Sequence, residues 1–245
     1  METSALIRLC IQACINTYEG NYGGVKKVFD NPVKFTVKHT EGHYAIQEDT
    51  LYIIFQGSHG RADWLDNFKF WHRDLRKTKP YGNIDTDIEI HTGFLEQYQL
   101  VRSLIHSVIK ENPNISKIVV AGHSLGGALS SLCSVDINYN FQEKDITCIT
   151  LGSPRAGNRA FVTSYNKRVP KTYRIVNGDD IVCKVPLIIM GFIHTSMKLL
   201  VGKKKWYKLF SIDAHYPNLY QKNYELFLVN GGKIPTISEI EENAA

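Results

Sequence analysis

The sequence predicts an α/β fold, a mostly parallel central sheet with helices on both faces. Three observations lead there. Strand-like and helix-like segments alternate from residue 51 to about residue 176, the pattern of parallel strands joined by crossover helices. One strand-to-helix junction, Ile118 to Leu132, is built around Gly122-His123-Ser124-Leu125-Gly126. The strand-like runs ending at Phe55, Ala121, Leu151 and Val176 are each followed by polar or glycine residues, and ligands of parallel sheets sit beyond such carboxyl ends.

The elements follow in order. Leu6, Leu9, Cys10 and Ala13 recur at helical spacing, so residues 1–18 read as a helix. Phe35 to Lys38 and Tyr44 to Gln47 read as short strands around Thr40-Glu41-Gly42. Leu51 to Phe55 is an unbroken apolar run suited to a central strand. Trp64, Leu65, Phe68 and Trp71 share one face of an amphipathic helix, followed by a polar loop over 77–87. A helix runs from His91 to Glu111 and Pro113 closes it. Then come a strand over 115–121, a helix over 125–139, a strand over 146–151, a short helix over 158–167 and a strand over 172–176. Residues 192–200 and 206–212 read as a hairpin around Gly202-Lys203-Lys204-Lys205, and a helix follows over 215–226.

The chain has 245 residues, without an internal repeat, a low-complexity segment or a Pro/Gly-rich linker, so one domain over 1–245 is expected, with its core at about 50–225. Apolar residues make 43% and charged residues 22%, the balance of an ordinary globular protein. The formal charge of +5 suits an anionic surface, but no nucleic-acid module or basic tail accompanies it, and no nucleic acid is expected as partner. Five cysteines, Cys10, Cys14, Cys133, Cys148 and Cys183, are scattered without a C-x-x-C pair, so no zinc or other metal is expected. They read as reduced, buried thiols of a reducing compartment. Arg8 and Gln12 interrupt the first apolar residues, unlike a secretory leader. No run reaches membrane-spanning length; the longest approach, Pro186 to Val201, is broken by His194 and Lys198. The expected setting is intracellular, cytoplasmic or peripheral to a membrane.

The pentapeptide at 122–126 carries the chemistry. A serine that attacks a carbonyl has to stand clear of the sheet on a sharp turn from strand to helix. Glycines at 122 and 126 remove the Cβ atoms that would collide there. The helix N-terminus then offers N–H groups and the positive end of its dipole to a forming oxyanion, Leu125 N–H first among them. The nucleophile needs a base and the base an orienting acid, which in this architecture follow in the order Ser, Asp or Glu, His. Asp179 and Asp180 follow a strand directly; Asp180 precedes Ile181-Val182 and can turn its carboxylate inward, while Asp179 suits a turn cap. Among later histidines, His215 sits in a loop before a helix, whereas His194 lies in an apolar run and suits a hydrogen-bonded core position. His123 should point into the fold. Gly57-Ser58 offers a second oxyanion donor, and the same two residues also read as a plain turn. The helix with Trp64, Leu65 and Phe68 reads as a lid over an apolar groove or as a permanently packed surface helix. Lys203-Lys204-Lys205-Trp206-Tyr207 reads as a seat on an anionic bilayer or as a solvated tip.

Taken together these blocks resemble the class 3 lipase family, the fungal-lipase-like α/β-hydrolases, over about residues 50–225. Phe55-Gln56-Gly57-Ser58 and Asp63-Trp64-Leu65-Asp66 are similar to its oxyanion and lid stretch, His91-Thr92-Gly93-Phe94 to its V-H-x-G-F block, and Gly122 to Gly127 to its G-H-S-L-G-G elbow. Gly152 to Asn158 with Phe161, Val176 to Val182, and Asp213-Ala214-His215-Tyr216 are similar to its G-S-P-R-V-G-N block, acid loop and terminal D-H-x-x-Y segment. Gln56 departs from a usual Arg, and Cys183 from a usual Pro. The resemblance implies an α/β-hydrolase with Ser124, Asp180 and His215 as catalytic triad, Ser58 and Leu125 at the oxyanion hole, Trp64, Leu65 and Phe68 in the lid, and no cofactor. It implies a serine ester hydrolase of glycerolipids, a triacylglycerol or diacylglycerol lipase, with transient contact to a membrane or lipid-droplet surface. A phospholipase A1 and a non-catalytic lipid-binding or scaffold protein are the alternatives.

Overall fold

From Leu51 to Phe55 every side chain is apolar, and a strand of that kind is stable only when both its faces are covered. The computed structural model describes residues 1–18, 22–58, 77–78, 87–203 and 211–242. Its strands are β1 (Val33–Val37), β2 (Thr40–Gln47), β3 (Thr50–Phe55), β4 (Lys77–Thr78), β5 (Ile90–His91), β6 (Lys117–His123), β7 (Asp145–Leu151), β8 (Thr172–Asn177) and β9 (Lys198–Val201). Its α-helices are α1 (Thr3–Tyr18), α2 (Tyr22–Val25), α3 (Thr92–Glu111), α4 (Leu125–Asn140), α5 (Arg159–Arg168), α6 (Pro217–Val229) and α7 (Ile237–Glu242).

Seven strands form one sheet in the order β1-β2-β3-β6-β7-β8-β9. β1, β2 and β3 pair antiparallel, and β3 through β9 of that sheet pair parallel. Alternation along each strand divides the core. Leu51, Ile53, Phe55, Ile118 and Val120 face α3, α4 and α5. Tyr52, Ile54, Val119, Ala121, Ile149 and Ile175 face α1 and α6. The mostly parallel sheet with helices on both faces is the α/β-hydrolase arrangement expected from the alternating segments.

Polar pins lock the outer helices. Asp136 of α4 accepts Tyr98 Oη at 2.6 Å and Arg102 Nε at 3.0 Å from α3. Arg8 of α1 grips Glu225 of α6 through two bonds at 2.6 and 2.8 Å, and Gln221 donates to Gln12 at 2.7 Å. The helix carrying residues 3–18 is therefore bound to the helix that follows His215.

Three expectations need correcting. The first hairpin turns at Lys38, whose φ is 55°, and Thr40 to Gly42 belong to β2. In the expected polar loop, Lys77 and Thr78 pair with His91 and Ile90. Among the described residues of the hairpin expected at 192–212, Lys198–Val201 alone forms a strand, and it pairs parallel with β8. Residues 192–197 are held by separate contacts instead: Ile193 N donates to Gly157 O at 3.0 Å, Ser196 N donates to Asn166 Oδ1 at 2.9 Å and Arg174 Nε donates to Thr195 O at 3.1 Å. The other arm, at 206–210, lies outside the described residues.

Candidate active site

β6 ends at His123 and α4 begins at Leu125, leaving Ser124 alone at the junction with φ 59° and ψ −127°. A non-glycine residue in such a conformation costs about 1–3 kcal/mol and persists only where its surroundings impose it. The surroundings are visible. A Cβ on Gly126 would collide with the Phe55 carbonyl, and one on Gly122 with the Gly126 carbonyl. The helix therefore descends onto β3 at backbone contact. Ser124 N donates to Leu151 O at 2.9 Å, tying the turn to β7. Ser124 is buried, and its Oγ makes no hydrogen bond among the described residues.

The loop after β8 presents Asp180, which is 1% exposed. Its Oδ1 accepts Val182 N–H at 2.8 Å and its Oδ2 faces His215 Nδ1 at 2.8 Å. A carboxylate accepts, so the proton of that bond sits on Nδ1 of His215. His215 ends a single 3₁₀ turn, Asp213–His215, held from behind by Asn177 Nδ2 on Ala214 O at 2.8 Å. Asn223 of α6 in turn donates to Asn177 Oδ1 at 2.7 Å. Gly152, at φ 59°, lies against the pair: a Cβ there would stand 2.8 Å from Asp180 Oδ2 and 3.0 Å from His215 Cε1.

Of the residues expected from the sequence, Asp180 and His215 are in direct contact. Ser124 joins them through its neighbour, since His123 Nε2 donates to His215 O at 2.8 Å; the bond between Ser124 Oγ and the imidazole is not closed in this state. Ser58 lies beside the elbow: a Cβ on the adjacent Gly57 would be 3.2 Å from Ser124 Cβ. Ser58 Oγ is buried and, like Ser124 Oγ, has no hydrogen-bond partner among the described residues. Leu125 opens α4, whose first turn receives no side-chain cap from Ser124. Trp64, Leu65 and Phe68 lie outside the described residues, as do Lys204 to Tyr207. Asp179 receives Ser211 N on its backbone carbonyl at 2.9 Å, and His194 spends Nε2 on Cys183 O at 2.6 Å. His123 points into the fold and packs its ring on that of His215, with centroids 4.4 Å apart.

Sequence reasoning missed Tyr220. Its Oη donates to Asp180 Oδ2 at 2.5 Å. Burial and the Asp180 charge push this hydroxyl above its ordinary range, which keeps it a donor. The motif pointed instead to Tyr216, which is 40% exposed. Tyr220 stands on the buried face of α6, where a tyrosine reads as one more apolar residue, so only its spacing from His215 could have marked it. Among the described residues no group of three or more His, Cys, Asp or Glu is placed to hold a metal ion.

A family model described as Lipase (class 3) matches residues 52–190. A secreted mono- and diacylglycerol lipase 1 of Fusarium solani is 32% identical over 150 residues, covering 60% of this chain and 42% of that protein. A chloroplastic phospholipase A(1) of Arabidopsis thaliana is 31% identical over 151 residues, covering 56% and 34%. The chain thus spans 42% and 34% of the lengths of these two curated relatives. The crystal structure of the mono- and diacylglycerol lipase of Aspergillus oryzae superposes with a TM-score of 0.66 at 24% identity, covering 82% of this chain and 80% of that one, and shows the shared fold.

The expected intracellular setting is overturned by this comparison: the Fusarium relative is named as secreted, which points outside the cell. The thiols explain the misreading. All five are free and buried, and burial pushes each pKa up. A thiol that stays protonated does not exchange with disulfides. Their reduced state reports packing and not compartment.

Proposed function

The chain belongs to the class 3 lipase family, and on that premise we propose that it is a serine ester hydrolase of glycerolipids, a mono-, di- or triacylglycerol lipase. The observation that carries this reading is the buried Asp180–His215 bond of 2.8 Å next to a serine held at φ 59°. In the proposed cycle Ser124 Oγ attacks the ester carbonyl while His215 takes its proton. The tetrahedral oxyanion is held by Leu125 N–H and by Ser58. His215 returns the proton to the departing alcohol, leaving an acyl-enzyme. Water, activated by the same imidazole, then releases the fatty acid. Asp180 keeps the proton of His215 on Nδ1 and stabilises the imidazolium that forms. The cycle needs no cofactor. Trp64, Leu65 and Phe68 are assigned to the lid by family resemblance alone. One domain over 1–245 is part of the same reading, as is an extracellular setting like that of the relative named secreted.

A phospholipase A1 is the second reading, favoured by the 31% identity to the Arabidopsis protein of that name. Purified protein given mono-, di- and triacylglycerols and phosphatidylcholine in parallel decides between them by which fatty-acid release is fastest. Ser124→Ala is expected to abolish release from every lipid and to abolish labelling by a fluorophosphonate. Full activity in Ser124→Ala would end the serine mechanism; failure of the fluorophosphonate to label Ser124 in the unaltered protein would leave a binding protein.

A further inference from the structure

His123 is buried between two polar partners, and their chemistry fixes its protons. Its Nε2 meets the backbone carbonyl of His215 at 2.8 Å. A carbonyl only accepts, so Nε2 carries a hydrogen. Burial and the adjacent His215 push this imidazole well below its ordinary pKa, so it stays neutral and Nδ1 is bare. Nδ1 lies 2.8 Å from Tyr18 Oη, which must therefore be the donor. The Tyr18 oxygen also lies so close to Gly57 that a Cβ there would collide with it. The Tyr18 and His123 rings meet edge to face, with centroids 5.6 Å apart and planes at 78°.

The bonds run one way, Tyr18 O–H to His123 and His123 N–H to His215 O, and the Tyr18 hydroxyl itself rests against Gly57. They join the loop of Ser58, the elbow of Ser124 and the turn of His215. We propose that Tyr18, at the end of α1 and outside the matched residues 52–190, is a positioning residue that sets the distance between the oxyanion loop, the nucleophile and the base through His123. The proposal rests on the ester-hydrolase reading for its kinetic consequence, but the bond directions stand without it.

The relay explains why a histidine precedes the serine. A side chain there has to accept from one direction and donate in the opposite one, and a neutral imidazole does both with two rigid atoms. It also explains how His215 holds its place on a single 3₁₀ turn: Asp180 fixes its ring and His123 fixes its backbone. Removing the Tyr18 hydroxyl leaves His123 Nδ1 without its donor. The ring is then held from one side alone and can turn, which loosens its bond to His215 O.

The test uses the full chain and two independent readouts. In the unaltered protein, ¹⁵N-histidine NMR is expected to show His123 as the neutral Nε2–H tautomer from about pH 5 to about pH 9. In Tyr18→Phe, kcat on p-nitrophenyl butyrate, counted per fluorophosphonate-titrated serine, is expected to fall about tenfold with KM within about twofold. In a His123→Phe background, whose ring neither accepts nor donates, the same substitution is expected to cost nothing further, because its effect passes through His123. An Nδ1–H or doubly protonated His123, an unchanged kcat per titrated serine, or the full loss repeated in the His123→Phe background would each overturn the relay. If Tyr18→Phe fails to fold, the tautomer in the unaltered protein still decides. If the unaltered protein hydrolyses no ester, the ester-hydrolase reading fails while the tautomer continues to report on the relay.

Discussion

Tyr220 Oη and His215 Nδ1 converge on one oxygen of Asp180, at 2.5 and 2.8 Å, while Val182 N–H holds the other oxygen. The Asp180 carboxylate is thus held by three donors, from its own loop, the His215 turn and α6. Hydrogen bonds to a charged group are the strong ones, and three of them leave the carboxylate one orientation.

Removing one of these donors tests how far orientation depends on the set. In Tyr220→Phe the ring still fills its place in the core and only the bond to Asp180 Oδ2 is lost. With the loss of a charge-assisted bond taken as about 1.5–3 kcal/mol, kcat/KM on a soluble ester is expected to fall by about one order of magnitude or more. Unchanged kinetics would mean that Val182 N–H and His215 orient the carboxylate unaided.

Gly152 gives a second, steric test. A methyl group at this position would stand 2.8 Å from Asp180 Oδ2, 2.9 Å from Tyr220 Oη and 3.0 Å from His215 Cε1, on a backbone at φ 59°. Gly152→Ala is expected to separate the acid from the base, lowering kcat/KM by about two orders of magnitude, since a misplacement of about 1 Å costs that much. Fluorophosphonate labelling rate and ester turnover should fall together. A variant with ordinary turnover would show that the pair can shift as a unit.

The third prediction concerns acid. His43 on β2 is 4% exposed, and burial together with the Lys34 cation lowers its pKa to about 4. With an unfolded value of about 6.5, the unfolded chain binds more protons between those two limits, so stability rises with pH across this window. The contribution is complete above about pH 6.5 and is lost as pH falls towards 4, by roughly 2 kcal/mol at about pH 5. Urea unfolding at about pH 7.5 and about pH 5 should show the loss, and His43→Gln should shrink it. Equal losses in both proteins would place the effect elsewhere, for instance at His194, whose pKa is also pushed well down by burial and by Arg174.

Legibility followed how tightly each feature is bound to local sequence. The central strands are readable because a strand covered on both faces has to be apolar throughout, as Leu51 to Phe55 is. The turn at Ser124 is readable because close approach of strand and helix demands glycines at a set spacing. Asp180 and His215 are 35 residues apart, yet chain order narrows the choice enough to bring out a pair that does meet. Tyr18 and Tyr220 escape because periodicity counts a tyrosine as apolar and says nothing of where its hydroxyl ends. The strand at 198–201 was misread because a short apolar run gives no sign of whether its neighbour is parallel or antiparallel. The cellular setting was misread because a buried thiol looks the same in any compartment.

Synthesis runs the site's parts in an order that delays its completion. Tyr18 and His123 are 105 residues apart, and His215 follows His123 by another 92. On the ribosome, α1 and the elbow emerge early, while the turn of His215 waits for α6 to close against α1 through Arg8 and Glu225. A nascent chain halted after β8 carries Ser124 and Asp180 but no imidazole between them. If Ser124, Asp180 and His215 act as proposed, that partial product hydrolyses no ester, and reactivity arrives only once α6 has been translated.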